Sequence, residues 1–203
     1  MATQTNICNM ALGHIRAQSP VDQITSIDEV SNEAQACNLY YDQVLEELLT
    51  SHPWTFAAKT AELAAHADDP PADWGYRYAL PADCLRTRAV TTSSVTSQTD
   101  PIRYMLELND AGTAQTLLCD IDDAWLRYTS SDVDEALFSP MFTAALAWRL
   151  AMEICIPLTG MTELLSYCQN GFTSSFNRAT TINYNQQTTK APLDSISIRS
   201  RSY

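Results

Sequence analysis

The stretch Ser139-Pro-Met-Phe-Thr-Ala-Ala-Leu-Ala-Trp-Arg-Leu-Ala-Met-Glu-Ile-Cys155 decides how the rest of the chain must be arranged. Serine followed by proline is a strong helix start. The hydroxyl caps a free backbone N–H, and proline fills the first helical position, where no N–H is needed. The helix that follows is apolar nearly all round. Leu146, Leu150 and Ile154 line one side; Met141, Ala145, Trp148, Met152 and Cys155 line another. A helix with two apolar sides is either central to its fold or packs a neighbouring subunit. Trp148 and Met152 are the candidates for such a subunit contact. The apolar run extends from Met141 to Leu158 but is broken by Thr143, Arg149 and Glu153. A membrane span wants roughly 20 apolar residues, so a buried helix is expected, closed by Pro157 and Gly160.

Working outward, three more segments have helical periodicity. Ile7, Met10, Ala11 and Ile15 share one face of a helix over about 5–16, stopped by Ser19-Pro20. Ala34, Cys37, Tyr41, Val44, Leu45 and Leu48 form the stripe of a second helix over about 31–50. Its cap is Ser31, or a capping box of Ser26 and Glu29, and Pro53 ends it. After the central helix, Leu165, Cys168, Phe172, Phe176 and Ala179 line a fourth, over about 162–179, which Gly171 should weaken. Between the pairs, residues 54–128 lose the helical period. Trp74, Tyr76 and Tyr78 fall on one side of a strand. That side should be buried in the β-region or against another chain, with Arg77 facing away. Residues 102–108, 114–119 and 124–129 are further strand candidates, and Asp110-Ala-Gly112 is a hairpin signal. The polar run 91–99 reads as an exposed loop. The fold class is therefore α+β, ordered helix, helix, strands, helix, helix, with no internal repeat. Residues 1–53 and 136–180 form the helical part, 54–135 a β-rich insertion and 181–203 an extended C-terminal tail.

Composition narrows the function. The 203 residues carry 12 basic and 24 acidic side chains, a net charge of −12, with 45% apolar residues. A chain of this size can bury about 70% of its unfolded surface, so a real core is feasible. Phosphate is repelled by an acidic chain, which disfavours tight non-specific binding of nucleic acid and docking on anionic membranes. The charge is uneven. Residues 1–169 hold 8 basic and 23 acidic side chains; 170–203 hold Arg178, Lys190, Arg199 and Arg201 against Asp194 alone. A basic end on an acidic body often marks an interaction tail. In that tail Leu193, Ile196 and Ile198 alternate with polar residues, a pattern that can add as a strand to a partner. With Arg199 and Arg201 they are the candidate docking residues. The opening residues have no basic start and no apolar run of signal-peptide length, so a secretory leader is not expected. Six cysteines without metal-like spacing fit a reducing cytoplasm.

Motifs for chemistry are sparse. His14, His52 and His66 form no helical pair that would hold zinc. His14, near a helix end, reads as a surface or interface side chain. Asp120-Ile-Asp122-Asp123 resembles half of a calcium loop but lacks its glycine and distal glutamate, and a turn is the simpler reading. Nucleophile-elbow, Walker and dinucleotide motifs are missing, so neither a catalytic residue nor a cofactor is expected. Trp54, Trp74, Tyr76 and Tyr78 lack interleaved basic residues and read as core or subunit-contact aromatics.

Against this background, several blocks resemble those of the tail tubular protein A family of tailed bacteriophages. Asn6-Ile-Cys-Asn-Met-Ala-Leu-Gly-His-Ile15 resembles its opening. Cys37-Asn-Leu-Tyr-Tyr-Asp42, Glu47-Leu-Leu49 and His52-Pro-Trp-Thr-Phe-Ala57 resemble the next block. Trp74-Gly-Tyr-Arg-Tyr78 with Leu80-Pro-Ala-Asp-Cys84 resembles a third; Leu126-Arg-Tyr128, Phe138-Ser-Pro-Met-Phe142 and the segment Leu150 to Gly160 resemble the last. The blocks run in order over residues 6–160. The end departs from the family pattern: Ile196 stands where a tryptophan is expected. The resemblance implies a four-helix bundle carrying a β-rich insertion. It also implies a head-to-tail adaptor: a ring, usually of twelve copies, joining portal to tail tube or nozzle around a DNA channel. The chain would be made in the host cytoplasm and kept in the virion neck, with no membrane insertion. The competing readings are a metal-dependent hydrolase or nuclease using Asp120–Asp123, and an assembly factor that leaves the finished particle.

Overall fold

A computed structural model describes residues 2–16, 21–92 and 102–186. The chain is mixed α and β, with four helices and two small antiparallel sheets. Helices α1 (Gln4–Arg16) and α2 (Asn32–Ser51) come first, α3 (Pro140–Thr159) and α4 (Glu163–Asn185) last. Between them lie β1 (Ala58–Glu62), β2 (Tyr76–Ala79), β3 (Cys84–Thr91), β4 (Tyr104–Leu108), β5 (Gln115–Cys119) and β6 (Trp125–Ser130), then a single 3₁₀ turn, Glu135–Leu137.

The ambiguous cap of α2 resolves by geometry. Ser31 caps α2, its hydroxyl accepting from the Ala34 N–H, while the Glu29 carboxylate takes Thr25, Ser26 and Ser31 as donors. Ser139 caps α3 by accepting from the Phe142 N–H. Of the two residues expected to close α3, Gly160 does so, with a φ of 66° that forms the left-handed cap, while Pro157 does not stop the helix, which runs on to Thr159. Proline removes one helical hydrogen bond, and the last turn tolerates that loss.

By length and composition α3 could cross a membrane, but nine of its 20 residues, from Phe142 to Cys155, are buried in this chain. It touches α1, α2 and α4, and is the central helix. Its apolar stripe and those of the other helices form one core with Trp54 and Phe138. Arg149 ties α3 to α2 through Glu47, 2.8 Å away, and pairs with Glu153 one turn on. The apolar sides of α3 are satisfied largely within the subunit.

A second, smaller core lies between the sheets. In sheet order β1-β6-β3 the central strand contributes Leu126 and Tyr128; in β2-β5-β4 the central strand contributes Leu117 and Cys119, with Tyr78 and Val90 beside them. Asp110-Ala-Gly112 makes the β4–β5 turn as expected, with Gly112 at φ 69°. Strands β1 and β3 are absent from the sequence-based expectation, and Thr91, assigned there to a loop, ends β3 buried. Two register shifts against β6, between Cys84 and Arg86 and between Thr87 and Ala89, break the alternation that would betray β3.

Within the subunit the aromatic strand is buried only in part. Tyr78 is buried, but Tyr76 is 38% exposed and Trp74 precedes the strand, its ring under the Arg103 guanidinium at 4.0 Å. Arg77 points away from Tyr78, yet it too is buried: Asp110 at 2.6 Å, Asp68 at 3.5 Å and Glu107 at 3.9 Å enclose it. The face opposite Tyr78 is covered by an acidic loop and turn.

Gly171 is the position that lets α4 close on α3. A methyl added there would lie 2.5 Å from the Trp148 ring, whereas one added at exposed Gly13 of α1 meets nothing within 4 Å. Ordinarily Gly→Ala in a helix stabilises by about 1 kcal/mol. G13A should follow that rule. G171A should instead lose about 1–3 kcal/mol, the usual overpacking cost, and lower the melting temperature by several degrees. Thermal melts of the two variants side by side check the contact.

Candidate functional site

The residues expected to contact partners are placed as follows. Trp148 stacks on the His14 ring at 3.5 Å and 7°, meets Tyr167 edge-on at 5.4 Å and lies over Gly171. Met152 is half-buried against the same helical core. Both contacts are intramolecular. His14 is therefore an inter-helix packing residue instead of a surface one. Its Nε2 is buried without a hydrogen-bond partner, and burial holds its pKa below the ordinary 6.5. The docking candidates Leu193, Ile196, Ile198, Arg199 and Arg201 lie outside the described residues. The tail's expected start is corrected: residues 181–185 belong to α4, not to an extended segment.

Asn183 is what anchors that last turn. Its side chain is buried. Nδ2 donates to the Pro53 carbonyl at 3.0 Å and approaches His52 Nε2 at 3.0 Å; Oδ1 accepts from the Thr55 N–H and hydroxyl. One amide thus ties α4 to the junction where α2 hands over to β1. Nothing in the sequence marks it, because a polar residue in a polar run carries no periodic signal. Beside it Trp54 is fully buried, its indole N–H donating to the Leu48 carbonyl at 2.7 Å and its ring against Phe56, Phe142 and Phe176.

In the Asp120–Asp123 turn, Asp120 accepts from the Gly75 N–H and Asp122 from the Asp123 N–H, while Asp123 takes a φ of 52°. Among the described residues no three His, Cys, Asp or Glu side chains are grouped to hold a metal ion. Five of the six cysteines are buried, and all six are free thiols.

Among the described residues, three arginines gather at an open cleft of about 530 Å³ between the end of α2 and the β3–β6 pair. Arg86, Arg88 and Arg127 line it, with Thr87, Tyr104 and Ser51. The register pairs Arg86 with Thr129 and Ala89 with Arg127, leaving Arg88 as the extra residue of a bulge. A bulge re-aims its side chain. Here Arg88 turns to Thr129, donating from Nε at 2.6 Å, and to the His52 carbonyl at 2.8 Å. Arg86 donates to the Thr50 carbonyl at 2.6 Å. Both therefore cap the carbonyl end of α2, where positive charge is favoured. Burial first, then repulsion from Arg86 and Arg127, pulls the Arg88 guanidinium down to about 10. Charge arithmetic on the sequence finds no such cluster, because Arg127 lies far along the chain from the other two.

Comparison with protein-family models and with curated proteins finds no match for this chain.

Two outcomes are expected. N183A should cost about 1–3 kcal/mol, because it strips partners from buried groups at the junction; a chemical denaturation series measures it. For pH, His14 and His52 are both held below 6.5 in the folded chain, by burial and, for His52, also by Arg88. The unfolded chain then binds more protons below pH 6.5, so stability is complete above that value and falls as pH drops through it. The melting temperature should be lower at pH 5.5 than at 7.5. H14F, which keeps the stack on Trp148, should shrink that difference.

Proposed function

We propose that this chain is a structural head-to-tail adaptor of a tailed bacteriophage, one subunit of a ring between the portal and the tail tube or nozzle. One observation carries the reading: the blocks that resemble the tail tubular protein A family fall on the working parts of this fold. Asn6–Ile15 is the stripe of α1, His52–Ala57 is the junction of the two cores, and Leu150–Gly160 is the end of α3. In this reading the four helices form a bundle from 1–53 and 136–180, lengthened by the last turn of α4. The β-rich part, 54–135, is its insertion. Heterologous contacts between identical subunits close into a ring by rotation, with twelve copies as the family's usual number. An acidic wall lets DNA pass without trapping it. The C-terminal residues dock on the portal, with Leu193, Ile196 and Ile198 supplying burial and Arg199 and Arg201 orientation. The role is architectural, without a catalytic residue or cofactor, and its place is the virion neck.

Attachment to DNA-filled, tail-less heads bearing the portal of the same phage tests this. The full chain should bind these heads as a ring visible by electron microscopy. Deleting residues 190–203 should leave the melting temperature nearly unchanged and abolish attachment. A full chain that never joins such heads overturns the adaptor reading; a truncated chain that attaches normally overturns only the docking role of the tail.

A further inference from the structure

The arginine cleft asks for an occupant, whatever the larger function. Nine of the chain's basic residues lie in the described segments. Lys59, Arg77 and Arg149 are each held by carboxylates, and Arg103 lies over Trp74. Arg86, Arg88 and Arg127 have no carboxylate partner among the described residues. Capping of α2 accounts for Arg86 and Arg88 but not for Arg127, whose side chain makes no hydrogen bond or ion pair among those residues. Three like charges converge on one concavity in a chain of net charge −12. Holding them together costs free energy in the empty protein, and a bound anion would recover it.

We propose that the cleft between α2 and the β3–β6 pair is a docking site for an acidic protein segment, read by Arg127 together with the free donors of Arg86 and Arg88. Guanidinium groups match carboxylates geometrically, two N–H groups to two oxygens, and are the preferred partner at such sites. The hydroxyls of Thr87 and Tyr104, 3.4 Å apart on the same wall, offer further donors. The volume, about 530 Å³, suits a few side chains of an inserted segment. Nucleic acid fits less well. A strand needs positive charge along several successive phosphates, and the remaining basic groups of the described residues include three already neutralised by carboxylates. The site is independent of the adaptor reading: it stands or falls by the arginines alone.

Fluorescence anisotropy of the full-length chain with a labelled ten-residue glutamate peptide, at low and at physiological salt, tests the assignment. The peptide should bind, and R127A should weaken it about tenfold or more, equivalent to about 1.4 kcal/mol. R127E should abolish binding. R178A, on exposed α4, should bind as wild type. The Arg127 side chain has no hydrogen bond to lose, so R127A should melt like the parent chain; a Thr87→Val, Tyr104→Phe double variant, which removes the neighbouring hydroxyls, should also bind the peptide more weakly. Three results overturn the proposal: no peptide binding, peptide binding indifferent to R127E (which would place it on the basic C-terminal residues), or tighter binding of a ten-nucleotide single strand that R127E abolishes.

Discussion

A helix that is apolar all round cannot face water, and this chain is organised by the need to enclose one. Helix α3 buries residues on several sides, from Phe142 to Cys155, and each of the other three helices brings its own apolar stripe against it. The enclosure is tightest at Trp148. Its indole is sandwiched between His14 of α1 and the bare backbone of Gly171 in α4, so three helices meet at one ring. Close packing allows no slack at such a point: a single methyl at Gly171 has no space. The polar ties, such as Arg149 to Glu47, sit at the rim of this core and orient α2 more than they hold it.

The helical core and the β-rich part have separate apolar interiors, so what joins them must be specific. Residues 52–55 do this work. Trp54 reaches back into the helical core, Asn183 binds His52, Pro53 and Thr55 from α4, and Arg88 reaches across from β3 to the His52 carbonyl. A buried amide with all its hydrogen-bonding capacity used is worth more for geometry than for energy, because removing it leaves several buried groups unpaired. The result sets the angle at which the sheets leave the helices. The two bulges of β3 belong to the same arrangement, since the second of them aims Arg88 at the junction.

The electrostatics follow a division of labour. Three basic side chains of the body are neutralised in place by carboxylates: Arg149 by Glu47 and Glu153, Arg77 among Asp68, Glu107 and Asp110, and Lys59, which with Ser130 and Tyr128 holds the Asp83 carboxyl down to about 2. Among the described residues, Arg86, Arg88 and Arg127 then stand together in a cationic cleft of a chain whose net charge is −12. An acidic chain that repels phosphate while offering a localised cationic cleft suits assembly with proteins around a nucleic acid that must not stick. This accords with the adaptor proposed for the chain, although the cleft and the adaptor rest on different observations.

Much of the architecture was legible from the residues in order. The four helices, the cap at Ser139, the β4–β5 turn and the two-sided character of α3 all follow from local periodicity and capping chemistry, which act between residues a few positions apart, whereas the α2 cap stayed open between Ser31 and a Ser26–Glu29 box. The misses share a cause. Strand β3 escaped because its bulges destroy the alternation, and the last turn of α4 because its anchor, Asn183, is polar and finds its partners some 130 residues away. Gly171 read as a weakness because propensity counts only the helix it sits in; its value lies in Trp148 of another helix. Strand alternation placed Arg77 opposite Tyr78 correctly, but it gives direction without saying what covers each face, and here acidic side chains cover Arg77. Sequence determined which segments are helical and which faces are apolar. Tertiary structure alone decided whether Trp148 packs inward, where Arg77 goes, and that Arg86, Arg88 and Arg127 share one cleft, because those outcomes depend on contacts between segments that the chain brings together only when its cores close.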